Sequence, residues 1–78
     1  MNTIDKITKI TERLKVYQET DEYENKGQFD LKFEGDEAPV GIYTYENELF
    51  VLTGDGCDSH IDNFDVETIN EIYNQVCK

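Results

Sequence analysis

The 78-residue sequence predicts an α+β domain of order α-β-β-β-α: a three-stranded antiparallel meander with an N-terminal and a C-terminal helix packed on it. Three observations lead there. Apolar residues recur at helical spacing near both ends. In the middle they alternate with polar ones. Turn-forming residues separate the segments.

The first helix is predicted over residues 3–19. Ile7, Ile10, Leu14 and Tyr17 recur at spacings of three and four, with Ile4 at the edge of the stripe. Thr3 offers a cap, and Asp5 lies in the first turn, where the helix dipole favours an acid. Asn25 or Gly27 would terminate the segment.

Three strands are predicted next. Phe29, Leu31 and Phe33 alternate with Asp30, Lys32 and Glu34, the pattern of a half-buried strand. Residues 35–39 (GDEAP) read as a loop. The β-rich stretches 40–45 (VGIYTY) and 48–53 (ELFVLT) flank Glu46-Asn47, which predicts a tight hairpin because Asn tolerates positive φ. In the last helix, Ile69, Ile72, Tyr73 and Val76 sit at i, i+3, i+4 and i+7. Asp65 is the expected N-cap, Glu67 suits the first turn, Phe64 and Ile69 are spaced as a hydrophobic staple, and Lys78 suits the C-terminal end. No repeat or linker divides the chain, so residues 1–78 are expected to form one small acidic domain.

If Glu46-Asn47 is a two-residue turn, Tyr45 faces Glu48, Tyr43 faces Phe50 and Ile42 faces Val51. One sheet face then holds Val40, Ile42, Thr44, Leu49 and Val51, and the other Tyr43, Tyr45, Phe50 and Leu52. Two short helices on one side cover only one set. Tyr43, Tyr45, Phe50 and Leu52 are therefore interface candidates, for a homodimer or another protein, because Tyr and Phe are enriched at interface centres. The plainer alternative leaves the rings half-exposed and idle, or puts the helices on opposite faces.

The net charge is −11, from 18 acids and 7 bases. Residues 1–17 carry four bases and two acids, and residues 18–78 three bases and sixteen acids. Such a chain lacks the basic face of a direct nucleic-acid binder and is repelled by an anionic membrane. No apolar window approaches the ~18 residues of a membrane span, and no N-terminal apolar run marks a signal peptide. Two cysteines, Cys57 and Cys77, are too few for a disulfide framework, so a reduced cytoplasmic protein is expected. Glu19, Asp21, Glu22, Glu24, Asp36, Glu37, Glu46 and Glu48 are acidic-surface candidates. Their partner would be a protein with a basic surface. If acids formed rows at phosphate spacing, the chain would mimic a nucleic acid and inhibit a DNA- or RNA-binding protein, such as a restriction or CRISPR-type nuclease.

Residues 52–64 (LTGDGCDSHIDNF) concentrate Asp55, Cys57, Asp58, His60 and Asp62. No register fits a calcium loop: starting at Asp58 puts Asn63 at position 6 and Ile69 at position 12, and starting at Asp55 puts Val66 at position 12. Cys57 and His60 have C-x-x-H spacing, which leaves metal or thiol chemistry as a minor alternative. The favoured reading is a connector in which Gly54-Asp55-Gly56 turns the chain, Asp and Ser supply turn hydrogen bonds, and Ile61 and Phe64 anchor it. Glycine-rich phosphate loops are absent from the sequence. The expectation is thus a non-enzymatic interaction or accessory protein without a cofactor.

Overall fold

The computed structural model describes residues 2–20 and 28–77, and of residues 17–20 the backbone alone. Helix α1 (Thr3–Thr20) opens on a cap one residue earlier than expected. Asn2 Oδ1, rather than the Thr3 hydroxyl, accepts the Asp5 N–H at 2.8 Å, satisfying one of the amides that no preceding carbonyl can reach. Ile10 and Leu14 are fully buried and Ile7 packs beside them, while Ile4 stays exposed at the margin of the stripe. Asn25, Gly27 and Lys78, and the side chain of Tyr17, lie outside the described residues.

The domain is α+β, with one correction: the sheet has four antiparallel strands in the order β1-β2-β3-β4, not three. They are β1 (Phe29–Asp30), β2 (Pro39–Tyr45), β3 (Glu48–Thr53) and β4 (Asp58–His60). The fourth pairs Phe50 with His60, Val51 with Ser59 and Leu52 with Asp58. It is a short edge strand with no apolar residue, so it lacks the alternation by which strands are read. The connector reading of 52–64 holds for its glycine turn and its anchors. Gly56 N–H donates to Thr53 O at 2.9 Å, and Ile61 is buried with Phe64 packed on the core.

The first strand is also shorter than its alternation implied. After Asp30 only the Leu31 N–H reaches β2, at Val40 O. The Gln75 side chain then takes the place of a neighbouring strand: its amide accepts from Lys32 N–H at 2.7 Å and donates to Lys32 O at 2.9 Å. Leu31 is buried and Phe33 partly so, so the alternating side chains still reach the core without a ladder.

Glu46 and Asn47 both adopt positive φ, 54° and 68°, the backbone of a two-residue type I′ turn. The register is the one that turn dictates: Tyr45 opposite Glu48, Tyr43 opposite Phe50, Ile42 opposite Val51. A bulge between Pro39 and Gly41 interrupts the alternation. Val40 is therefore 45% exposed and does not join Ile42, Leu49 and Val51 on the aliphatic face.

Helix α2 (Val66–Val76) starts on the expected cap, with Asp65 accepting the Thr68 N–H at 3.0 Å. Both helices cover the same side of the sheet. Ile10 and Leu14 of α1 and Ile69, Ile72 and Val76 of α2 form one core with Ile42, Leu49, Val51, Leu31 and Ile61. Each such side chain gains about 1.5–3 kcal/mol on burial. Lys6 helps hold the helices together: its Nζ donates to Asn70 Oδ1 at 2.8 Å and lies 5.6 Å from the centre of the Tyr73 ring. No described helix is long and apolar enough to cross a membrane.

Candidate functional site

With both helices on one side, strict alternation fixes what the other side presents. Ile42, Leu49 and Val51 point into the core, so their neighbours Tyr43, Phe50 and Leu52 point away from it. Cross-strand pairing extends the set: Tyr43, Phe50 and His60 form one row, Gly41, Leu52 and Asp58 the next, and Asp30 faces Gly41 from β1. Tyr43, Phe50, Leu52 and His60 are half-buried, and Tyr45 is 62% exposed at the hairpin end.

The row is held by ring packing. Tyr43 stacks on Phe50 with centroids 5.6 Å apart and planes inclined by 21°. The His60 ring meets Phe50 edge-on at 5.5 Å and 86°. Such contacts are worth about 0.5–1.5 kcal/mol beyond the area they bury. At Gly41 a Cβ would run into the side chain of Gln28, so glycine lets that amide lie flat over the sheet beside the row.

Two carboxylates complete this face. The Tyr43 hydroxyl donates to Asp58 Oδ2 at 2.8 Å, spanning β3. Burial, and then the hydrogen bond and charge of Asp58, push the Tyr43 phenol above its ordinary pKa. His60 Nε2 lies 2.5 Å from Glu48 Oε1. The Asp62 amide donates to His60 Nδ1 at 3.1 Å, so Nδ1 is an acceptor and the proton lies on Nε2, facing Glu48. The Asp62 carboxylate, 3.5 Å from Nδ1, then has no imidazole proton to accept.

This arrangement disperses the loop residues that sequence spacing had grouped. Asp58 turns to Tyr43 and His60 to Glu48, while Asp55 accepts from the Thr53 hydroxyl and from the Cys57 N–H. Those bonds hold the Asp55 carboxyl below its usual range. Its charge in turn pushes the exposed Cys57 thiol up, which opposes thiolate formation. Both imidazole nitrogens of His60 have partners other than Cys57. Among the described residues no three His, Cys, Asp or Glu side chains converge as metal ligands. Cys77 packs against the core edge, and burial raises its pKa.

Of the acidic candidates, Asp36 and Glu37 occupy the turn before β2, Glu46 the hairpin turn, and Glu48 the open face. Glu19 belongs to α1 by its backbone, and Asp21, Glu22 and Glu24 lie outside the described residues. Sequence reading missed His60 as a member of the aromatic row, because its place opposite Phe50 depends on a pairing that no apolar pattern announces. From residue 33 to residue 77 the chain carries eleven acids and neither lysine nor arginine. The described cations belong to α1 and Lys32. A groove of about 520 Å³ between β1 and α2 is lined by Phe29, Asp30, Lys32, Glu71, Asn74 and Gln75.

Compared with known proteins, the chain matches no protein-family model, no curated protein and no solved structure.

Proposed function

We propose that this chain is a non-enzymatic interaction or accessory protein that docks a protein partner on the open side of its sheet. The observation that carries the reading is the placement of both helices on one face, which leaves Tyr43, Phe50 and Leu52 with no described element over them. A half-buried aromatic row with a polar margin has the anatomy of an interface centre and rim. The acidic balance favours a partner with a basic surface, and the two free thiols suit a reducing compartment such as the cytoplasm. Mimicry of a nucleic acid draws on the same charge without an observation of its own to favour it.

The test is site-specific photo-crosslinking in native lysate. A photoreactive residue at Tyr45 should capture a defined protein, and the same residue at Thr8, on the exposed flank of α1, should not. Capture at both positions, or at Thr8 alone, contradicts the reading. So does the absence of any product at Tyr45. Sedimentation of the purified chain separates a second copy from a foreign partner.

A further inference from the structure

We infer that the open face receives an arginine side chain of a basic partner protein, with its guanidinium packed against the Tyr43 end of the stacked Tyr43–Phe50 pair and paired with the Glu48 and Asp58 carboxylates. The inference rests on the docking role proposed above and names the chemistry of the occupant.

Three features converge on this chemistry. The first is shape and polarity. Tyr43 and Phe50 are stacked on each other with near-parallel planes, and His60 packs on Phe50, so the face of Tyr43 turned away from Phe50 is the one on which a flat cation gains quadrupole attraction. The second is the placement of charge. Asp58 sits at the Tyr43 hydroxyl, and Glu48 at the imidazole that packs on Phe50. The two carboxylates therefore flank the rings, and each accepts one hydrogen bond there. Carboxylate oxygens have spare acceptor sites, and a guanidinium supplies five donors in a plane. The third is the absence of lysine and arginine from the described strands, so no residue of the sheet neutralises this face.

The last two of these features disfavour a second copy of the chain as occupant. Face-to-face pairing would bring Glu48 and Asp58 of one copy against the same two of another, with no strand cation between them, and like charges at an interface cost several kcal/mol. Arginine suits the site better than lysine. A guanidinium is planar and weakly hydrated, so it can stack and pair at once, whereas an ammonium is a compact, strongly hydrated point charge.

The experiment is a titration of the intact, isotopically labelled chain, followed by backbone amide NMR. The probes are two synthetic peptides, one alternating glycine and arginine, the other alternating glycine and lysine. Binding is measured at low salt and again at about 0.15 M, where charges more than ~8 Å apart are screened. The arginine peptide should perturb the amides of Tyr43, Phe50 and His60 and bind at least about 3-fold more tightly than the lysine peptide. Glu48→Gln and Asp58→Asn should each weaken it by about 2- to 5-fold, whereas Glu67→Gln, in the helix layer, should not. All three are exposed charge-to-amide changes, so each variant's amide spectrum verifies its fold. Equal affinity for the two peptides, equal losses in the three variants, or shifts spread over the acidic surface would overturn the inference in favour of unspecific attraction. Sedimentation showing a dimer closed through this face would overturn it too. If neither peptide binds while Tyr45 still crosslinks a partner, the arginine inference falls and the docking reading stands. If both measurements fail, both fall.

Discussion

The hydroxyl of Tyr43 on β2 reaches across β3 to donate to Asp58 on β4 at 2.8 Å. That bond ties the edge strand to the hairpin on the side of the sheet away from the helices. Because it requires a protonated phenol, and because burial also disfavours the phenolate, the folded pKa of Tyr43 is raised. The stability tied to this proton is therefore fully present below the ordinary phenol pKa. It is lost as pH rises through the folded value. Thermal melts of the wild type should fall more steeply on the alkaline side of that range than melts of Tyr43→Phe. The difference between their phenolate absorbance titrations should isolate one late-titrating tyrosine. Parallel alkaline melts would contradict this.

The cap of α2 makes the complementary prediction at acid pH. Asp65 accepts the Thr68 amide, and that bond holds its carboxyl below the usual range. Its contribution is complete above the unfolded carboxyl pKa and disappears as pH falls through the lower folded value. Asp65→Asn keeps a capping oxygen without a titrating charge, so its melting temperature should vary less with pH through the acid range. Asp65→Ala should lower the melting temperature near neutral pH. Equal acid slopes for wild type and Asp65→Asn would show that the cap charge contributes nothing.

At the hairpin, Glu46 and Asn47 both occupy left-handed backbone at φ 54° and 68°. Glutamate is poorly suited there and Asn-Gly is the preferred pair. The double change Glu46→Asn with Asn47→Gly should stabilise the fold by roughly 1 kcal/mol in denaturant melts. A loss of stability would mean that the turn is not of the two-residue primed type.

Gly54 is constrained by space rather than by its dihedral angles. A Cβ there would strike the main-chain oxygen of Asp36, and the Gly54 N–H already donates to Ala38 O at 3.0 Å. Backbone cannot swing aside as a side chain does. Gly54→Ala should therefore cost about 1–3 kcal/mol, whereas Gly35, whose nearest neighbour is the Ala38 Cβ at 3.7 Å, is limited by its φ of 114°. Chemical denaturation of Gly54→Ala checks this.

The helices, the hairpin and its register were legible because periodicity and turn chemistry are local. Asp65 could be read as a cap from its position before an apolar stripe, and Tyr43 could be placed opposite Phe50 by counting from the turn. Features set by long-range pairing were not legible. Asp58–His60 becomes a strand only because the glycine turn folds it back along β3, and Lys32 leaves the ladder because Gln75, 43 residues away, supplies its hydrogen bonds. The bulge that exposes Val40 gave no signal beyond a following glycine. The Cys57–His60 spacing drew attention to the loop, yet it could not show that each side chain already had a different partner.

If the side of the sheet without helices is the working surface, a bound partner shields the carboxylates there. Carboxyl footprinting of the intact chain, alone and in the complex captured from native lysate, tests it most directly. Glu48 and Asp58 should lose labelling in the complex while Glu12 on α1 and Glu67 on α2 keep theirs. Protection of Glu12 and Glu67, with Glu48 and Asp58 labelled as in the free chain, would contradict it.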